Sequence, residues 1–442
     1  MPAMTAPTDN PADSPALGGP RRRAVLGGLL AGGTAWASRG AWAQSQNGAG
    51  ADGRLVVLFL RGAYDGLSAL VPYADPDYYA LRPRIAIAAP DGSAQTAIAL
   101  DGHFALHPAL ASLHAVWQQG VLAVVPAAGL IDPTRSHFDA QHQWELGMPG
   151  KSSVSQGWLN RLAALPPSRA RVLGRATAMG VGEANPFVLS GAAPTRLVPR
   201  GGAAAKPGVL ADGGTRDALL ALYAGPDDMS RTFRAGMESR MQTAQGLSEQ
   251  TPGLSPMAPD RQEMAAANNG APPAQGLLLD AQYLGKLMRQ DRSLRLGFLS
   301  VGNWDTHANQ GAATGQLANS LGNLARTLLQ LRKDFDQPND VVLVCSEFGR
   351  TCAENGTRGT DHGHGNAMWL MGNRMQGGRW HGQWSGLASG NLHEGRDLPV
   401  HHDYRAVVAQ VLRRTQGLSG KDLDVLFPGM AWDAALDPLM RS

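Results

Sequence analysis

Residues 341–365 read VVLVCSEFGRTCAENGTRGTDHGHG. The first five, Val341 to Cys345, are apolar, mostly β-branched and without polar relief, as in a strand buried on both faces. Polar chemistry begins where that run stops, with Ser346, Glu347 and Arg350, and continues with Asp361, His362 and His364. Ligands of an open parallel sheet bind at the carboxyl ends of its strands. A carboxylate at such an end, followed by Asp-His-Gly-His in a glycine-rich loop, therefore reads as a site rather than scaffold.

The same arrangement recurs elsewhere in the chain. Arg54–Leu60 (RLVVLFL) is a strand that runs into a turn carrying Asp65. Val121–Pro126 (VLAVVP) leads to a polar loop with Ser136, His137, Asp139 and His142. Leu294–Val301 (LRLGFLSV) ends in Asn303-Trp304-Asp305-Thr306-His307. Helical patterns lie between these strands: 101–117, 157–170, 277–289, and a stripe of Leu317, Leu321, Leu324, Leu328 and Leu331. Ala184–Leu189 reads as a weak strand and Met368–Met371 as a short one, and a last helix spans Asp403–Arg413. Strands alternating with helices predict an α/β domain: a mostly parallel sheet with helices on both faces. Residues 44–442 make one such domain, with a flexible insertion at 241–276, where large apolar residues are few and Pro, Gly, Gln and Asn abound.

Strand ends of one parallel sheet share an edge, so remote acids and imidazoles converge there. Asp65, Asp305, His307, Glu347, His362 and His364 supply the roughly six ligands that two metal ions need. Mixed carboxylate and imidazole donors suit zinc, manganese or iron better than calcium. The reading requires Asp65, Asp305, Glu347 and His364 to reach a common ion or ligand. His137 and Asp361 are further cleft candidates. Ser136 is read two ways, as a nucleophile activated by a metal or base and as the cap of the helix that follows. Arg350 either clamps an anionic substrate group or pairs with Glu347 or Glu354. Asp139 and Glu145 read as a solvated helix face. The remaining histidines, His393 among them, read as structural.

Of 442 residues, 43% are hydrophobic and 17% charged, as in an ordinary globular protein. A net charge of +3 is too small for a nucleic-acid footprint. Two cysteines, Cys345 and Cys352, make no disulfide framework. The N-terminus reads as a signal: Arg21-Arg22-Arg23, a weakly apolar run Ala24–Trp36, then Ala41-Trp42-Ala43 as a cleavage site. The paired arginines point to the twin-arginine route, with its translocase as a transient partner and a periplasmic or secreted destination. The apolar run is shorter than the ~17 residues that span a bilayer, so no stable membrane span survives cleavage.

The chain resembles the domain-of-unknown-function 1501 family of exported bacterial proteins. The matching pieces are LFLRGAYDGLSALVPYADPDYYALRP (58–83), HPAL (107–110), RSHFDAQHQWE (135–145), GWLNRL (157–162), NWDTHANQ (303–310), SEFGRTCAENGTRGTDHGHG (346–365) and DYRAVV (403–408). That family looks like a branch of the alkaline phosphatase superfamily, alongside sulfatases and cofactor-independent phosphoglycerate mutases. The resemblance implies an alkaline-phosphatase-like core. It also implies Asp65-Gly66 as the first metal-binding element, Ser136 as nucleophile, Asp305 and His307 as the Asp/His pair, and His362 or His364 as the last ligand. Glu347-Phe348 stands where Asp-His is the rule, so one imidazole is missing. The expected function is metal-dependent hydrolysis of phosphate or sulfate esters. The alternative is an exported, non-catalytic protein that binds a glycan, a sulfated polymer or a partner enzyme in the same cleft.

Overall fold

Strand β1 (Leu55–Leu60) shows why the sheet is covered on both faces. Val56, Leu58 and Leu60 belong to one apolar cluster, and Leu55, Val57 and Phe59 to another. All are buried, as the period-two alternation of a strand requires when neither face meets water. The computed structural model describes residues 53–150, 154–165, 176–248, 268, 271 and 273–441. The expected leader, residues 1–43, lies outside them.

The other strands of the main sheet are β2 (Leu122–Gly129), β3 (Ala178–Gly182), β4 (Thr195–Pro199), β5 (Leu296–Val301), β6 (Val341–Cys345), β7 (Asn366–Met371), β8 (Arg379–Trp380) and β9 (His402–Asp403). Their order is β8-β2-β7-β6-β1-β5-β3-β4, with β9 also pairing β2. β1 runs parallel to β5 and β6, β3 to β4 and β5, and β8 and β9 to β2. Strand β7 is antiparallel to both its neighbours, β2 and β6. The carboxyl ends of β1, β2, β5 and β6 therefore share one edge, as the sequence predicts.

Helices α1 (His137–Leu146), α2 (Trp158–Ala164) and α5 (Tyr404–Thr415) cover the face of Leu55, Val57 and Phe59. Helices α3 (Leu277–Gln290) and α4 (Gln316–Asp334) cover the other. The leucine stripe of α4 is buried as expected. Ser136 caps α1 by accepting from the Asp139 amide at 3.3 Å, and Gly147 ends the helix at φ 71°.

Four expectations change. Ala184–Leu189 is not a strand: Phe187–Leu189 forms a 3-10 turn after Pro186, and the sheet is extended instead by β3 and β4. The helical reading of 101–117 starts late. Leu106 sits in a small three-stranded sheet, and the helical turn begins at Pro108, whose ring fixes a helical φ. The first residues of the insertion, 241–248, continue a helix that runs Asp228–Ser248, while 249–267 lie outside the described residues. Glu145 is buried rather than solvated. Among the described residues no helix is long and apolar enough to cross a membrane.

Candidate metal centre

Three loops, those after β2, β5 and β6, deliver side chains to the centre at the shared edge. Asp305 stands in the loop after β5, and its Oδ1 lies 2.9 Å from His307 Nε2, 3.2 Å from His362 Nε2 and 3.5 Å from His137 Nε2. The imidazoles also meet each other, His362 Nε2 being 3.0 Å from His137 Nε2 and 2.9 Å from His307 Nε2. His137, Asp305 and His362 offer ligand atoms within 4.8 Å of one another.

Each imidazole is held from behind. His137 Nδ1 faces Glu347 Oε1 at 2.8 Å, His362 Nδ1 faces the Arg135 carbonyl at 2.8 Å, and His307 Nδ1 faces Asp361 Oδ1 at 3.2 Å. All three partners are acceptors, so each Nδ1 carries the proton and each neutral ring turns an Nε2 lone pair inward. Arg350 donates to the Asp305 oxygen, but the three lone pairs that face it have no donor of their own and repel it and one another unless a proton or cation joins them. Ligating histidines backed by carboxylates or carbonyls are the usual dress of a metal site, so the donor set fits a divalent ion.

Without an ion, protons serve instead. Burial acts to lower the His137 pKa, but hydrogen bonds to Asp305 and Glu347 outweigh it and raise it to about 9. The bond to Asp305 likewise raises His307. Burial works to raise the Asp305 carboxyl, yet the three imidazoles and Arg350 hold it far below the usual carboxylate range.

The loops themselves are tightly fixed. Ala63 and Asn303, just past β1 and β5, adopt left-handed backbone, φ 55° and 71°. Arg350 reaches across both: it donates to the carbonyls of Ala63 (2.6 Å), Gly62 (2.6 Å), Trp304 (3.1 Å) and Thr360 (3.2 Å), and to Asp305 Oδ1 (2.5 Å). Residues 349–351 pair with 361–363 so closely that a Cβ on Gly363 would stand 2.4 Å from the Arg350 carbonyl carbon, and one on Gly349 1.8 Å from the Gly365 oxygen.

Of the residues singled out from sequence, Asp305, His307, His362 and the cleft candidate His137 meet directly, with Glu347 and Asp361 standing behind two of the rings. Asp65 and His364 do not join, so the four-residue common ion required above does not form. Asp65 is fully buried, caps the short helix Gly66–Ala69 and accepts from Arg82 at 2.7 Å, Gln310 at 2.7 Å and the Ser68 hydroxyl at 2.8 Å. Its burial disfavours the charge, and Arg82 more than restores it, keeping the pKa low. His364 turns toward His393, ring centroids 4.6 Å apart. Arg350 is corrected from substrate clamp to staple, because its donors are taken by loop carbonyls and Asp305 and its side chain is fully buried. Ser136 is exposed at the start of α1 and fills the capping role.

Phe348, the apparent gap in the ligand pattern, stacks on the His137 ring at 4.8 Å and 28°. Sequence reasoning missed the layer beneath. Arg61 is buried among Glu145, Glu183 and Gln141, and Gln141 reaches Glu347. The signal was present: His137, Gln141 and Glu145 are four residues apart and share a helix face.

The family model described as "Protein of unknown function (DUF1501)" matches residues 52–427. A comparison with curated proteins returns no match. Among solved structures, the alkaline phosphatase from the Antarctic bacterium TAB5 is 12% identical, with a TM-score of 0.31 over 73% of this chain and 92% of that one. The PH0037 protein from Pyrococcus horikoshii is 11% identical, with a TM-score of 0.29 over 73% and 86%. Likenesses this distant say nothing about the chemistry of the site.

Proposed function

The chain belongs to the DUF1501 family, and we propose that it is a hydrolase of phosphate or sulfate esters built on one divalent-metal centre held by His137, Asp305, His307 and His362. The observation that carries the reading is the convergence of three Nε2 atoms on Asp305 Oδ1, each ring anchored through Nδ1. A bound zinc or manganese ion supplies Lewis-acid polarisation and lowers the pKa of an adjacent hydroxyl or water. The protein's own groups do the rest. Ser136 presents its hydroxyl beside His137 at the N-terminus of α1, whose aligned amides favour an approaching anion. Asp305, pinned by Arg350, stays ionised and keeps its oxygen in the centre. Export by the twin-arginine translocase to the periplasm is part of the same proposal and rests on residues 21–43.

The test is metal analysis of the purified full chain together with turnover of a chromogenic aryl phosphate and an aryl sulfate. The reading expects bound metal, loss of turnover in chelator with recovery on adding zinc or manganese, and loss of turnover in Ser136→Ala. No retained metal and no chelator effect would overturn it. The fate of Arg350 and Asp65 favours the second reading, a binding protein, because neither is free to clamp a charged ester or complete a second metal site. Retained metal without turnover of either ester supports that reading.

A further inference from the structure

We propose that Gln141 is a positioning residue that, with Arg61 behind it, holds the Glu347 carboxylate where it takes the proton of His137 Nδ1. The proposal rests on the metal-centre reading for its purpose, though not for its geometry. Arg61 is the fixed end of the relay. It is fully buried directly after β1, donates from Nη2 to Glu183 Oε1 at 3.0 Å and from Nε to Glu183 Oε2 at 3.2 Å, and pairs with Glu145. A guanidinium only donates. Its Nη1 donates to Gln141 Oε1 at 2.8 Å, which fixes the amide. Flipping that amide would set donor against donor at Arg61 and acceptor against acceptor at Glu347.

The amide nitrogen therefore faces Glu347 and donates to its Oε1 at 2.8 Å. The same oxygen accepts from the Gly62 amide at 2.7 Å. Against an oxygen held as an acceptor by two donors, His137 Nδ1 at 2.8 Å must present an N–H. The neutral ring is then the Nδ1–H tautomer, the opposite of the one a free histidine side chain favours in water. Its Nε2 lone pair points at Asp305 and His362. Glu347 accepts as an ionised carboxylate in any case, and what the Arg61–Gln141 pair adds is a fixed place for its Oε1 against the ring. One face of α1 carries three of the parts, because His137, Gln141 and Glu145 recur every fourth residue. Gln141 acts on the centre through Glu347.

Two measurements on the full chain decide it: the ¹⁵N resonances of His137 in metal-free protein at alkaline pH, where the ring is neutral, and zinc affinity by competition with a chromophoric chelator. Gln141→Met keeps the length and removes the donor, and Gln141→Glu keeps the contact to Arg61 while losing the donation to Glu347. The unsubstituted protein is expected to show the Nδ1–H tautomer. Both variants are expected to show a mixture, with zinc affinity down about 10–100-fold, the range for residues behind a metal ligand. An Nε2–H tautomer in the unsubstituted protein overturns the proposal whether or not either variant folds. So does undiminished zinc affinity in folded variants. A protein that binds no zinc yet shows the Nδ1–H tautomer, lost in the variants, keeps the relay and removes the metal reading.

Discussion

His362 and His364 are separated by one glycine and end in opposite circumstances. His362 has a carbonyl behind Nδ1 and faces Asp305 and two imidazoles through Nε2. His364 is buried, has no hydrogen-bond partner at Nδ1, and lies against His393, whose Nε2 makes no hydrogen bond and stands 3.9 Å from Glu394 Oε1. Burial, with His393 beside it, pushes the His364 pKa down to about 4. In the first cluster Asp305 draws protons onto His137 and His307, whereas in the second His364 gives its own up readily. What makes an imidazole a ligand is therefore the acceptor behind its far nitrogen, a property that spacing in the sequence does not report.

The sharpest break in this contrast is a pair of substitutions. His362→Ala should abolish zinc binding in a chelator competition, whereas His364→Ala should leave it unchanged; equal losses would erase the distinction between the clusters. Next in size is Arg350→Lys, which keeps the charge but not the fork that reaches four carbonyls and Asp305. Orphaned buried acceptors cost about 1–3 kcal/mol each, so urea unfolding should show a loss of at least about 3 kcal/mol. An unshifted midpoint would mean that the first cluster does not depend on its staple.

A pH series probes the layer behind the first cluster. Burial raises the Glu145 pKa from its ordinary 4.5 to about 7, despite Arg61 beside it, with Glu183 adding to the rise. A folded-state pKa above the unfolded one means that the folded protein holds the proton more tightly. The Glu145 contribution is thus complete below pH 4.5 and is lost as pH climbs through about 7. Glu145→Gln should flatten the fall in unfolding free energy across that window, and an identical slope in both proteins would count against it. The smallest effect concerns Ser136→Ala, where loss of the cap should cost about 1 kcal/mol of stability by urea denaturation. A cost near zero would show that α1, which carries His137, does not need its cap.

Much of the framework was legible because β1, β2 and β6 are unbroken apolar runs, and β5 nearly so, each ending abruptly in a polar turn. The last two strands of the sheet, β3 and the edge strand β4, were not, since AMGVG and TRLVP carry too much glycine, charge and proline to read as strands alone. Asp305, His307, Glu347 and His362 were found from their place at strand ends. Asp65 has the same credentials and fails, because Arg82, seventeen residues on, lies inside the fold and captures it. Glu145 was misread for the converse reason. A helix whose inward face is polar looks solvated until Arg61 is found buried beneath it. Pairing between a strand end and a distant helix is a tertiary fact, and only the i, i+4 spacing hints at it.

The reversal of β7 fixes how the stretch 346–365 can move. Because β7 runs back alongside β6, Trp369 opposite Val344 and Met371 opposite Val342, the excursion leaves and re-enters the sheet on adjacent strands. Between those feet the span is pinned, residues 349–351 pairing with 361–363 and Arg350 bonding the carbonyls of Gly62, Ala63 and Trp304. Access to Asp305 must then come from the side of His307 and Asp361, whose side chains are 43% and 55% exposed, over a floor that stays put while visitors come and go.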